Sequence, residues 1–220
     1  MTGKYPRTPH LPYSPGASSD DKIAKDVNGL VNVPVVITEK LDGGNSSLEY
    51  DAVYARTHAI SASHPSFDWL KRKHAELKSY IPPELQVFGE YVYAVHSIKY
   101  DCVPSYFFLF GVRDRDKNQW ASWEYLEGIS EILELPTAPL LWSGAVKTES
   151  ELRNLVEQLA RQRSVFGGTR EGVVIRVAKS FDDKEFSACI AKWVRPGHVQ
   201  ETEQHWSLRT VVKQRLCSHR

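Results

Sequence analysis

The run Thr38-Glu39-Lys40-Leu41-Asp42-Gly43-Gly44-Asn45 sets one lysine directly before a turn. Val33 to Ile37 is apolar and β-branched, which predicts a buried strand. Asp-Gly-Gly is turn chemistry, so Lys40 stands where that strand leaves the core. A rigid strand behind the amine, with glycines beside it, suits a nucleophile that a phosphate group can approach. Such an amine must lose its proton before it attacks, and its ordinary pKa is ~10.4. Lys-x-Asp-Gly also arises by chance where an exposed strand enters a hairpin, so the rest of the chain decides what it means.

The elements that must position this lysine read as follows. Residues 1–28 are polar and punctuated by Pro6, Pro9, Pro12 and Pro15, which excludes a helix or a central strand and predicts an extended arm. His10, Leu11 and Tyr13 give that arm groups with which to lie on the domain formed by 29–220. Ser46–Tyr50 and Val53–Arg56 predict a hairpin. A helix follows from about Phe67 to Tyr80, with Ser66 as cap and Phe67, Leu70, His74 and Leu77 as its apolar stripe. Lys71-Arg72-Lys73 fall near its outer face, as a solvated surface or a patch for phosphates. Leu85–Val95 and Tyr106–Val112 are too apolar for one-sided strands and are expected to be central. Ser122–Leu135 and Thr148–Gln162 predict helices, the second opening with the capping-box pair Thr148 and Glu151. Gly172–Val177 and Ala188–Val194 predict two more buried strands, and Glu201–Gln214 a last helix. Paired strands with irregularly placed helices indicate an α+β domain with mainly antiparallel sheets. The absence of G-x-G-x-x-G and Walker runs argues against a Rossmann or P-loop nucleotide site.

Composition narrows the class of partner. With 28 Lys+Arg against 27 Asp+Glu, a nucleic acid must be gripped by a local patch and not by a global field. Cys102, Cys189 and Cys217 are scattered and odd in number, which predicts neither a disulfide framework nor a zinc site and suggests a reducing, cytoplasmic setting. No signal-peptide pattern and no apolar run of ~20 residues is present, so a membrane partner is not expected.

Three further groups accompany Lys40: Phe88-Gly89-Glu90, Glu171-Gly172-Val173-Val174-Ile175-Arg176 and Ala191-Lys192-Trp193-Val194-Arg195, with Tyr106–Phe110 between the first two of them. In this order they resemble the motif series of the covalent nucleotidyltransferases, and most closely the ATP-dependent RNA ligases. Glu39-Lys40-x-x-Gly43-x-Asn45 is similar to that branch's nucleophile motif. Tyr5–Leu11, His96–Asp101 and Arg195–Gln200 are similar to a stand-alone bacterial-type RNA ligase family. The resemblance implies the nucleotidyltransferase (ATP-grasp-like) domain of the nucleic-acid ligases, with antiparallel sheets flanked by helices.

It also implies roles. Lys40 would attack the α-phosphorus of ATP, and Lys192 and Arg195 would bind phosphates. Glu171 would hold Mg²⁺ or Mn²⁺, hard ions for which one or two carboxylates suffice. Glu90 would accept from ribose hydroxyls and Phe110 would stack on adenine, in competition with Phe107 and Phe108. Glu39, Asp42, Gly43, Asn45 and Arg56 would complete the nucleotide contacts. Strand alternation points Glu39 away from Lys40, places Phe108 and Phe110 on one face, and puts Arg195 opposite Lys192 unless the strand has ended. The family's last motif often carries two lysines on one face, and here Val194 takes the second place. Only 25 residues follow Arg195, too few for an OB domain. The expected activity is ATP-dependent joining of 5′-phosphate and 3′-hydroxyl RNA ends, with an end-processing or RNA-binding protein as a possible partner. The alternatives are a minimal DNA ligase, a guanylyltransferase, an adenylylating subunit that needs a partner to seal, or a non-catalytic binder of RNA ends.

Overall fold

A computed structural model of the chain describes residues 3–56, 62–197 and 211–218. In chain order it contains β1 (Val35–Lys40), β2 (Gly44–Leu48), β3 (Val53–Ala55), α1 (Asp68–Leu77), β4 (Leu85–Tyr91), β5 (Phe107–Asp114), β6 (Gln119–Trp120), α2 (Trp123–Leu133), β7 (Leu140–Gly144), α3 (Glu149–Ala160), β8 (Gly172–Val177), β9 (Phe181–Asp182), α4 (Phe186–Cys189) and β10 (Ile190–Val194). Two antiparallel sheets result, one of four strands in the order β10-β8-β1-β7 and one of six in the order β3-β2-β4-β5-β6-β9. β4 and β5 occupy the middle of the larger sheet, as their apolar runs predict.

The smaller sheet sorts its residues by alternation. Val35, Ile37, Val173, Ile175, Ala191 and Trp193 pack against Leu152, Val156 and Leu159 of α3. The other face carries Thr38, Lys40, Val174, Arg176 and Lys192, so nearly all its polar chemistry lies on one side of three neighbouring strands. In the larger sheet the core joins Leu48, Val87, Phe108 and Val112 to Leu70 and Leu77 of α1 and Leu126 and Leu133 of α2. β1 belongs to the first sheet and β2 to the second, so the turn after Lys40 is where the chain crosses between them.

Helix caps follow local sequence with two differences. Ser122 accepts the Tyr125 N–H at 3.2 Å and Thr148 the Glu151 N–H at 3.1 Å. Glu151 in turn takes the N–H of Lys147, one residue before the cap, so the box closes outside its expected frame. Before α1 the capping acceptor is the His64 ring at 3.2 Å from the Ser66 N–H; Ser66 itself lies inside a short 3-10 turn, Pro65–Phe67. Lys71 and Lys73 pair with Asp68 and Glu76 on the surface of α1.

The expectation for the cysteines is corrected: Cys102 and Cys217 form a disulfide. They meet because residues 211–218 run as an extended strap across the segment 93–103. Val95 N–H donates to Val212 O at 2.7 Å, Val103 N–H to Arg215 O at 2.8 Å, and Cys217 N–H to Val103 O at 2.9 Å. The reducing setting inferred from the cysteine count loses its support with that bond. Residues 201–210 of the expected last helix lie outside the described residues, and 211–214 are extended. Among the described residues, no helix is long and apolar enough to cross a membrane.

Candidate active site

β1 delivers Lys40 as its last residue, opposite Gly172, the first residue of β8. Gly172 is there because a Cβ would lie 1.9 Å from the Trp193 carbonyl oxygen of β10. That close approach brings Glu171, just before β8, beneath the amine: Lys40 Nζ lies 2.7 Å from Glu171 Oε1. The backbone of Glu171 is fixed as well, its carbonyl accepting the Arg195 N–H at 3.0 Å. Gly43 is required by a second close approach, since a Cβ there would meet the Tyr91 carbonyl oxygen at 2.6 Å. Its N–H donates to Glu90 Oε1 at 3.1 Å, so Glu90 on β4 clamps the turn that follows the lysine.

Asp42 is spent on the same turn. Its carboxylate accepts the Ser97 N–H, the Ser97 hydroxyl and the Ile98 N–H at 2.8, 2.9 and 2.7 Å, while its own N–H donates to the Tyr100 hydroxyl at 2.9 Å. Glu39 borders the site, but its carboxylate lies 3.3 Å from Arg170 Nε and accepts the Val165 N–H at 2.9 Å. It therefore points away from the amine of Lys40, as alternation predicts, whereas Glu171 pairs with that amine.

These residues wall a cavity of about 360 Å³ with contributions from both sheets. Lys40, Glu90 and Glu171 line it together with Asn45, Arg56, Phe110 and Lys192. Arg195 is not in the wall, although β10 ends at Val194 before it. Of the three phenylalanines in β5, only Phe110 reaches the cavity, at a register shift between β4 and β5, whereas Phe108 is buried against Phe166. Tyr5 of the N-terminal arm packs on Phe110 and Phe88 with ring centroids 5.0 and 5.2 Å apart, and Tyr5 to Thr8 close one side of the cavity. These arm residues, His96, Trp123 and Arg176 belong to the wall, and no site role is read for them from sequence, although Tyr5–Leu11, His96 and Arg176 fall within the family-like runs.

The electrostatics are those of crowded acids around one amine. Burial acts to lower the Lys40 pKa, but Glu171 first, then Glu90 and Asp42, outweigh it and hold the ammonium above its ordinary range. Burial pushes the Glu90 carboxyl up to about 7 against the pull of Lys40, with Glu171 and Asp42 adding to the rise. Lys192 is pushed down to about 8 by burial and by the charge of Lys40. Arg176, its guanidinium donating to the carbonyls of Ala121 and Phe110, falls to about 10 through burial. Among the described residues no cluster of three or more His, Cys, Asp or Glu could hold a metal ion, but the hard carboxylate oxygens of Glu171 in the cavity wall suit a divalent cation that keeps its remaining ligands as water or phosphate.

Solved structures share the fold at low identity. An archaeal ATP-dependent RNA ligase superposes with a TM-score of 0.61 at 17% identity, over 87% of this chain and 48% of that one. The RNA ligase of Naegleria gruberi, as an apo mutant, gives 0.60 at 17% identity over 77% and 51%. A mutant of the same enzyme with ATP and Mn gives 0.58 at 15% identity over 77% and 52%. The chain thus spans about half the length of the ligases it matches. No curated protein matches the sequence significantly. The family model described as RNA ligase matches residues 33–194, from the strand that carries Lys40 to the end of the one that carries Lys192, and the chain belongs to the RNA ligase family.

Proposed function

We propose that the chain performs the adenylylation chemistry of an ATP-dependent RNA ligase and joins 5′-phosphate to 3′-hydroxyl RNA ends. The observation that carries this reading is the Lys40 amine, set in a cavity wall 2.7 Å from a buried carboxylate and flanked by a second inward cation, Lys192. In the first step Lys40 Nζ attacks the α-phosphorus of ATP, the N–P bond forms, and the bond to pyrophosphate breaks. The proton has an acceptor in contact, Glu171, and Lys192 offsets charge on the departing phosphates. Glu90 and Phe110, on neighbouring strands, provide a ribose acceptor and an aromatic surface for adenine. Asn45 and Arg56 stand on the same wall for the phosphates and the RNA end. Mg²⁺ or Mn²⁺, held by Glu171, would supply positive charge against the phosphoryl oxygens. AMP then passes to the RNA 5′-phosphate, and attack by the 3′-hydroxyl releases it. We read Asp42 and Gly43 as shapers of the lysine turn, and Glu39 as its support through Arg170.

A second reading is an adenylylating subunit that seals with a partner. A sealing assay separates the two. The isolated chain, ATP and Mg²⁺ should join 5′-phosphorylated RNA to a 3′-hydroxyl end. Protein–AMP or 5′-adenylylated RNA without joined product, with joining restored by a second protein, would favour the subunit. Sealing confined to DNA nicks would contradict the RNA assignment.

A further inference from the structure

The N-terminal arm runs beside β10 at the residue that carries the second cation. Lys192 N–H donates to Pro9 O at 2.9 Å, and Leu11 N–H returns to Lys192 O at 2.8 Å. The arm then folds back on itself: His10 N–H donates to Lys22 O and Ala24 N–H to His10 O, both at 2.7 Å. This double-back brings Asp21 to the cavity's cationic end. Asp21 Oδ2 is fixed by the Ser18 N–H and hydroxyl at 3.0 and 2.8 Å. Oδ1 lies 3.9 Å from Lys192 Nζ and 3.5 Å from His10 Nε2.

His10 completes the holder. It is buried, and burial together with the charge of Lys192 pushes its pKa down to about 4, so the ring is neutral at neutral pH. Its Nδ1 is 2.9 Å from the Ser14 hydroxyl, whose oxygen accepts the Val194 N–H at 2.9 Å. Because the Asp21 carboxylate facing Nε2 can only accept, the neutral ring carries its proton on Nε2, and Nδ1 accepts the Ser14 hydroxyl. A carboxylate is thus placed, by a chain of bonds, next to a lysine that lines a cavity read as taking a polyanion. On electrostatic grounds alone it weakens phosphate binding there, so it must act when the phosphates are absent.

We propose that Asp21 is a built-in counter-anion for Lys192. It neutralises the ammonium while the triphosphate end is empty, gives way to ATP, and re-engages Lys192 once pyrophosphate has left. Re-engagement raises the pyrophosphate concentration needed to reverse adenylylation. This rests on the reading of Lys192 as a phosphate-binding residue, and the variants distinguish the two ideas. The experiment follows release of AMP from the adenylylated protein as pyrophosphate is increased, and the KM for ATP in the forward step. D21N should lower the half-maximal pyrophosphate concentration about fivefold, the effect of one unit charge removed at such a distance in a wet site, while D21E stays near the wild type. Structural damage would weaken ligand binding, so tightening is the signature. Unchanged or weaker pyrophosphate binding in D21N, with K192A weakening both ligands, overturns the role of Asp21 alone. If K192A leaves both ligands unaffected, the phosphate reading of Lys192 falls, and this proposal with it.

Discussion

At the scale of single residues, Glu171 holds Lys40 as an ammonium, and on the proposed reading that same contact gives the proton a route out when the α-phosphorus arrives. Glu171→Gln should therefore slow ATP-dependent labelling of the folded protein by at least about 100-fold, beyond what the stability lost with its buried Lys40 partner explains; normal labelling would show that the carboxylate is not needed. Glu39→Gln should leave labelling of the folded protein near the wild type. It leaves the buried Arg170 without its ionised partner and should cost about 3–5 kcal/mol in a urea titration. Glu90 adds a pH dependence. Its folded pKa, about 7, lies above the ordinary carboxyl value of 4.5, so the folded state holds the extra proton and stability falls as pH rises between those values. Glu90→Gln should flatten that decline, read as the difference in urea midpoints between pH 5 and pH 8 for variant and wild type; an unchanged slope would refute the assignment. The sequence disclosed these side chains by type and order. It could not show that Asp42 is consumed by the amides of Ser97 and Ile98, because those partners lie far along the chain and meet it only after folding.

At the scale of elements, what was legible was what is locally encoded. β8 begins and ends where its β-branched run does, and α2 begins at its serine cap with Trp123, Leu126, Ile129 and Leu133 all inward. The short strands β6, β9 and β7 were not read, because two-residue pieces and an exposed edge such as Leu140 carry no period of their own and exist through pairing with distant partners. The glycines separate the two kinds of information. Gly172→Ala forces a Cβ against the Trp193 carbonyl and should destabilise by about 1–3 kcal/mol or more. Gly128→Ala, in α2 with no atom within 4 Å of the added Cβ, should stabilise by about 0.5–1 kcal/mol. Chemical denaturation of the pair checks both signs, and a stabilising Gly172→Ala would mean that β8 and β10 do not pack this closely beneath Glu171.

At the scale of the molecule, the site joins strands of both sheets with the arm at one side, and the strap 211–218 supports it from outside the cavity. The strap matters to the lysine because it holds the loop that holds Asp42: Gln214 binds the backbone of Ile98 and Tyr100 at 2.7 and 3.0 Å, on either side of the residue next to that clamp. Three scattered cysteines gave no hint of this, since a bond between residues 115 apart depends on where the chain's last described stretch lies. Cys217→Ser should lower stability by about 2–4 kcal/mol, measured against the oxidised wild type, and reductant should reproduce the loss; equal midpoints in all three samples would exclude the bond. The claim on which every scale depends is that one amine receives the nucleotide. Incubation with ATP and Mg²⁺, followed by intact-mass measurement and peptide mapping, should find a single AMP per chain on the peptide bearing Lys40 and none in Lys40→Ala. No adduct, an adduct on another lysine, or GMP accepted in place of AMP would contradict the account.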